Sequence, residues 1–191
     1  MADVIAAYRT AVSGFWSPRH TLWKDQERLG VLTLGRRGLG PISSGVWRPE
    51  RGEVLHFRRD PGILRSQFSL WTEGHEWLGS SLRWSFFRRD VSISTGNKPH
   101  RLMPLPTFGR GWRLVAPKTG ELARFRPNLL GRGSRIEVYR KVDFELLLFA
   151  YFLAAQLGVE SVWPMHAPED EAQALDTARA SGGRTPAADG R

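Results

Sequence analysis

Paired basic residues recur along the chain and are the side chains best suited to hold a ligand. They fall where short apolar runs end, at Arg36-Arg37, Arg58-Arg59, Arg88-Arg89 and Arg140-Lys141, while Lys98 and Arg101 flank Pro99-His100. A guanidinium group binds a phosphate through two parallel hydrogen bonds, so convergence of these pairs on one rim of the fold predicts a phosphate-binding site. The candidate phosphate- or lipid-binding residues are Arg58, Arg59, Arg88, Arg89, Lys98, Arg101, Arg140 and Lys141. The alternative is basic residues scattered for solubility.

The charge of the whole chain agrees with an anionic partner. The chain contains 28 Lys and Arg residues and 19 Asp and Glu residues, which gives a formal net charge of +9. This excess attracts anionic lipid, nucleic acid or an acidic protein, and it also suits an ordinary soluble surface. Several of the eight tryptophans adjoin arginine, as in Arg83-Trp84 and Trp112-Arg113. They are compatible with core packing, with stacking on bases and with anchoring at a lipid interface.

The residue patterns of catalysis and metal binding are missing from the sequence. The chain has no cysteine, which excludes disulfides, thiolate metal sites and a cysteine nucleophile. Its five histidines stand singly, without the spacing of a metal site. Gly109-Arg110-Gly111 and Gly131-Arg132-Gly133 are interpreted as turns, because no suitable helix follows either segment. Without a catalytic triad or a paired-carboxylate pattern, we expect a non-enzymatic protein that needs no cofactor and no metal.

Two kinds of secondary structure must position these residues. From about residue 29 to 140, short apolar runs alternate with Gly, Pro, Asp and Asn, which predicts strands and turns. Three stretches read as β-hairpins: Val46–Phe57, Phe68–Gly79 and Leu114–Phe125. Residues 1–16 carry apolar side chains at helical spacing and predict a short amphipathic helix. Residues 165–191 are rich in Ala, Gly and acidic residues, which predicts a flexible and largely disordered tail.

One apolar helix is predicted at residues 142–158. Asp143 is a suitable N-cap residue, and Gly158 is suited to the position after the last turn. The run from Leu146 to Ala155 is apolar on every face, so it is buried in protein or in a bilayer. This run is about half of the ~20 residues that cross a membrane, which favours burial in protein. A final strand is predicted at Val159–Trp163.

The width of the helix limits the barrels that can enclose it. A helix is about 10 Å wide, which is more than an eight-stranded barrel accommodates, whereas a barrel of about eleven or more strands encloses one. We therefore predict a mainly β (α+β) fold over residues 1–164. It is a closed antiparallel barrel of about twelve strands that encloses the hydrophobic C-terminal helix.

The order of many strands, an apolar helix and a short last strand resembles the tubby C-terminal superfamily, which includes tubby-like proteins, phospholipid scramblases and LURP-one-related proteins. The resemblance extends from Arg58 to Trp163. The matching pieces are Gln67–Trp71, Lys118–Leu122 and Asp143–Trp163. It implies a twelve-stranded barrel around the helix and a cytoplasmic domain, peripheral at the membrane, that binds anionic phospholipid through basic residues. A nucleic-acid-binding or protein-interaction module remains the alternative.

Two scramblase features are missing from this chain. The stretch from Arg126 to Arg135 stands in place of the acidic calcium-binding segment and contains no carboxylate, so calcium control is not expected. Palmitoylation is excluded by the absence of cysteine. The short apolar helix also argues against insertion into a bilayer, and we expect a monomer without a transmembrane span.

Overall fold

The computed structural model describes residues 3–14, 17–36, 42–61, 66–83, 90–96, 98–106, 111–128 and 132–162. Within these residues, twelve antiparallel strands and one helix form a closed barrel. The strands are β1 (Ala6–Ser13), β2 (Arg19–Lys24), β3 (Glu27–Arg36), β4 (Ile42–Pro49), β5 (Leu55–Arg59), β6 (Ser66–Thr72), β7 (Trp77–Arg83), β8 (Val91–Thr95), β9 (Lys98–Pro104), β10 (Trp112–Ala116), β11 (Gly120–Pro127) and β12 (Gly133–Val138). The helix is α1 (Phe144–Val162). Each strand pairs with its sequence neighbours, and β1 pairs with β12 to close the barrel. The predicted closed antiparallel barrel of about twelve strands is confirmed.

The strands follow the two-residue alternation of a sheet with one apolar face. In β3, Leu32 and Leu34 point into the barrel and are buried, while Val31 and Thr33, which alternate with them, are half-exposed. The three predicted hairpins are confirmed as β4–β5, β6–β7 and β10–β11. Gly120 turns the last of these with a φ of 77°, a conformation that favours glycine.

The helix α1 fills the barrel interior. Every residue from Leu146 to Ala154 is buried, so no face of these turns reaches solvent. Phe152 stacks on Phe57 of β5 at a ring-centroid distance of 4.7 Å and meets Phe68 of β6 edge-on at 5.3 Å. Gly45 of β4 leaves room for the ring of Phe152 against the wall. The predicted enclosure of the apolar helix is therefore confirmed.

The prediction of a helix at residues 1–16 is wrong. Residues Ala6–Ser13 form strand β1, which is hydrogen-bonded to β12 on one side and to β2 on the other. Tyr8 and Thr10 point inward at sheet spacing, and the helix-like apolar spacing of the segment is overridden by this pairing. Without β1, strands β2 and β12 would leave two open edges, which proteins generally avoid.

The predicted final strand at Val159–Trp163 is also wrong over the described part of that segment. Helix α1 continues through Gly158 to Val162, beyond the predicted end at residue 158. The barrel is already closed by the β1–β12 pair, which leaves no edge for another strand to join. The predicted disordered tail, residues 165–191, lies outside the described residues.

Candidate functional site

The meander of strands gives the barrel two ends. Odd-numbered strands start at the end where α1 begins, here called the entry end, and run to the opposite or far end. Even-numbered strands run from the far end back to the entry end. The entry end therefore carries the turns after β2, β4, β6, β8 and β10 and the link from β12 to α1.

The predicted phosphate-binding residues are divided between these ends. Arg58 and Arg59 complete β5 at the far end. Lys98 opens β9 at the entry end, and Arg140 and Lys141 join β12 to α1 at the same end. Arg101 is exposed on the wall within β9, and Arg88 and Arg89 lie outside the described residues. The described members of the predicted set therefore do not converge on one rim.

Strand register brings a different group of arginines together on the outer wall. Arg126 of β11 lies directly opposite Arg135 of β12, and Arg135 lies directly opposite Arg9 of β1. Arg124 precedes Arg126 by two residues on β11 and so lies nearer the entry end. It is directly opposite Arg113 of β10. We call these five residues the arginine face.

The pairs of directly opposed arginines are unfavourable for folding, although the same register places Arg124 opposite Glu137. Side chains directly opposite one another on antiparallel strands have Cβ atoms about 5 Å apart, and like charges in such positions destabilise the sheet. The arginine face contains three directly opposed pairs of cations. Bound anions would relieve this repulsion, because each guanidinium group can share phosphate or carboxylate oxygens with its neighbour.

Two carboxylates lie among these arginines. Glu121 accepts hydrogen bonds from Arg124 Nε at 2.6 Å and Nη2 at 2.8 Å, and these bonds raise the pKa of Arg124. Glu137 lies 3.2 Å from Arg135 Nε and 4.0 Å from Arg126 Nε. Two carboxylates against five arginines leave the surface positive.

The row formed by Arg126, Arg135 and Arg9 is the most accessible part of the arginine face. The side chains of Arg126 and Arg135 are 51% and 65% exposed. Arg9 is exposed, and its guanidinium carbon lies 5.3 Å from the centroid of the Trp23 ring. Three adjacent strands span about 10 Å, a separation that lets the row contact more than one phosphate group.

A weaker sequence signal for this face was available. Arg124 and Arg126 flank buried Phe125, and Arg135 precedes buried Ile136, which is the outward alternation of a strand. The predicted site was built mainly from adjacent arginines, whose side chains leave a strand on opposite faces. Arginines two residues apart, whose side chains share a face, were not considered. Arg9 had no strand signal at all because its segment was predicted to be helical.

Four residues form a chain of hydrogen bonds inside the barrel: His20, Tyr151, Thr10 and Ser134. The Tyr151 hydroxyl donates to Thr10 Oγ1 at 2.9 Å, and Thr10 Oγ1 donates to the Ser134 carbonyl at 3.3 Å. Because the Tyr151 proton is used on Thr10, His20 Nδ1, at 2.7 Å, donates to the Tyr151 oxygen. Burial lowers the pKa of His20 to about 4 and raises the pKa of Tyr151 to about 12, so both are neutral at pH 7.

Two further findings bear on function. The described residues contain no group of three or more His, Asp or Glu side chains that could hold a metal ion. No helix in the described part of the chain combines the length and the apolarity needed to cross a membrane.

Comparison with known proteins supplies one structural relative. No protein-family model matches the chain, and no curated protein matches it in sequence. The fold is similar to the X-ray structure of the Arabidopsis thaliana protein AT5G01750, with a TM-score of 0.52 and 12% sequence identity. The match covers 83% of this chain and 94% of the plant protein. At this identity the likeness shows a shared fold.

Proposed function

We propose that this chain is a non-enzymatic domain of the tubby type whose arginine face binds phosphate groups of anionic phospholipids at the cytoplasmic surface of a membrane. The observation that carries the proposal is the row of directly opposed cations at Arg126, Arg135 and Arg9. Glu137, near Arg126 and Arg135, compensates only part of this positive charge, and an anionic surface relieves the remaining repulsion. The resemblance of the sequence to tubby-like and scramblase proteins supports the same ligand class.

The surroundings of the row favour lipid over nucleic acid. Trp23 lies directly opposite Arg9 and is half-buried. An indole ring beside cationic side chains suits the headgroup region of a bilayer, where its apolar body and its N–H group are both accommodated. The barrel would then lie peripherally on the membrane, with its outer wall at β11, β12, β1 and β2 against the headgroups.

Vesicle flotation tests the proposal. The full chain is mixed with vesicles of phosphatidylcholine alone or with about one-fifth phosphatidylserine, at low and at high salt. We expect flotation with the anionic vesicles at low salt and its loss at high salt, because the attraction is screened. Absence of binding to anionic vesicles at low salt would refute the lipid proposal.

A pair of charge-matched variants localises the binding. R9Q/R126Q/R135Q removes the row, and R28Q/R48Q/K118Q removes the same charge from exposed positions near the entry end. At about 1 kcal/mol for each cation near an anionic surface, the first variant should bind about 100-fold more weakly and the second only slightly so. Equal losses would show a general charge effect. Tighter binding of wild type to a single-stranded oligonucleotide than to vesicles would favour the nucleic-acid alternative.

A further inference from the structure

A cavity of about 510 Å³ opens at the entry end beside the first turn of α1. Three aromatic residues from different elements line it: Tyr8 of β1, Trp47 of β4 and Phe144 of α1. The centroid of the Phe144 ring lies 6.2 Å from that of Tyr8 and 5.8 Å from that of Trp47. The volume is in the range of small-molecule sites, which often occupy the mouths of β-barrels.

The charged lining of this cavity has an excess of one negative charge. Glu53, Glu76 and Glu145 line it, against Lys24 and Arg51. None of these five side chains forms an ion pair with another described residue, although all five are exposed around one opening. The carboxylates therefore remain available to a ligand that enters between them.

We infer that this cavity binds an organic cation, an amine or quaternary ammonium group carried on an apolar body. The half-buried rings of Tyr8 and Phe144 present apolar contact area and electron-rich faces that attract cations. Trp47 is 2% exposed and supports this wall by packing against Phe144, and the carboxylates add Coulombic attraction at the opening. An organic anion would meet three carboxylates against two cations, without an aromatic cation–π attraction. The charge preference inferred for the cavity is therefore opposite to the one proposed for the arginine face.

A titration with three small probes tests this inference. Benzyltrimethylammonium, benzyl alcohol and benzoate share an aromatic ring and differ in charge, and each is added to the isotopically labelled full chain. We expect saturable amide chemical-shift changes at Tyr8, Trp47 and Phe144 with the cation, and affinity for the neutral probe lower by about five- to thirtyfold. Benzoate binding as tightly as the cation, or no saturable shift with the cation, would overturn the inference.

Paired glutamate variants separate the cavity from the general field of the entry end. E76Q/E145Q removes two lining carboxylates, and E50Q/E73Q removes two exposed carboxylates that do not line the cavity. The first variant should weaken binding of benzyltrimethylammonium severalfold and leave benzyl alcohol unchanged, while the second should affect neither probe. Equal weakening by both variants would mean that no specific site is present.

A competition experiment with vesicles distinguishes a soluble amine from a lipid headgroup as the natural ligand. If a soluble amine is the natural ligand, phosphatidylcholine vesicles leave probe binding unchanged, whereas a choline headgroup as ligand predicts displacement of the probe by those vesicles. R9Q/R126Q/R135Q should bind the probe as wild type does, so the cavity can succeed or fail independently of the arginine face.

Discussion

The inner and outer faces of the same strands differ in what their residues do for the fold. On β12, Ile136 and Val138 face the helix and are 1% and 4% exposed. Arg135, the residue before Ile136, faces outward and lies directly opposite Arg9 on one side and Arg126 on the other. The inner face is arranged for packing, while the outer face accepts a repulsion that packing does not require. Packing accounts for the residues of the inner face, and the proposed binding of anions accounts for the arginines of the outer face.

This comparison has a direct experimental form. Changes on the inner face should lower the free energy of unfolding and leave ligand binding intact in the molecules that still fold. Neutralising Arg126 on the arginine face should weaken binding and leave the free energy of unfolding unchanged or higher, because its contact with Glu137 is 4.0 Å long. A substitution that moved both quantities together would break the distinction.

Removal of α1 is the most severe test of the inner face. Its buried side chains each contribute about 1.5–3 kcal/mol, and a whole domain is stable by only about 5–15 kcal/mol. The buried hydrophobic residues of α1 are Leu146, Leu147, Leu148, Phe149, Ala150, Tyr151, Phe152, Leu153, Ala154 and Leu157. A chain ending at Lys141 should be insoluble or unfolded when tested by expression and circular dichroism. A soluble truncated chain with a cooperative urea transition would contradict the enclosed-helix architecture.

Acidification should destabilise the same face through His20. Burial lowers its pKa from 6.5 to about 4 in the folded protein, so between these values the unfolded chain binds the additional proton. The stability present above pH 6.5 is therefore lost as pH falls towards 4, by about 3 kcal/mol. Burial also lowers the pKa of His100, which adds to the effect in the same direction.

Urea unfolding of two variants at about pH 7 and about pH 4 isolates this effect. H20Q keeps a donor for Tyr151 and should show a smaller stability loss between the two pH values than wild type. H75Q changes an exposed turn residue and should match wild type. An unchanged pH dependence in H20Q would show that other groups dominate acid unfolding.

Overpacking at Gly45 should have the next largest effect. A Cβ atom there would lie 2.8 Å from Phe152 Cε2, closer than such atoms approach, and 3.2 Å from Phe57 Cδ2, which is a tight contact. G45A should lower the free energy of unfolding by about 1–3 kcal/mol in urea titrations. G74A is the control, since the nearest atom to its Cβ would be Thr72 Oγ1 at 3.7 Å. Equal stability of the two variants would show that the helix shifts freely within the barrel.

The inner face was predictable because its signals are local. The apolar run at Leu146–Ala155 indicated a buried helix, and Gly-containing turns between apolar runs indicated the hairpins β4–β5, β6–β7 and β10–β11. From these elements, length and width arguments led to a closed barrel. Strand β1 was missed because its conformation depends on pairing with β2 and β12. Of these two strands, β12 is far from β1 in the sequence, so no local pattern indicates the pairing.

The arginine face could not be predicted because it depends on register. Arg9 and Arg135 are separated by most of the chain, and one residue of slip in β1 would turn Arg9 into the barrel. Adjacent arginines such as Arg58-Arg59 were conspicuous in sequence, yet strand direction sends them and Arg140-Lys141 to opposite ends. Residue type therefore indicated the ligand chemistry, while topology decided which arginines meet.

Neutralising Arg126 provides the finest test of the comparison. R126Q removes the charge opposite Arg135 and loses only a 4.0 Å contact with Glu137, so the free energy of unfolding should stay constant or rise by up to about 0.5 kcal/mol. R28Q removes an exposed ion pair with Glu50 at 2.9 Å and should lower it slightly. Urea titrations at low and high salt measure both variants. Because salt screens repulsion, the gain in R126Q should shrink at high salt, and a clear loss of stability at either salt would mean that Arg126 supports the fold rather than a ligand.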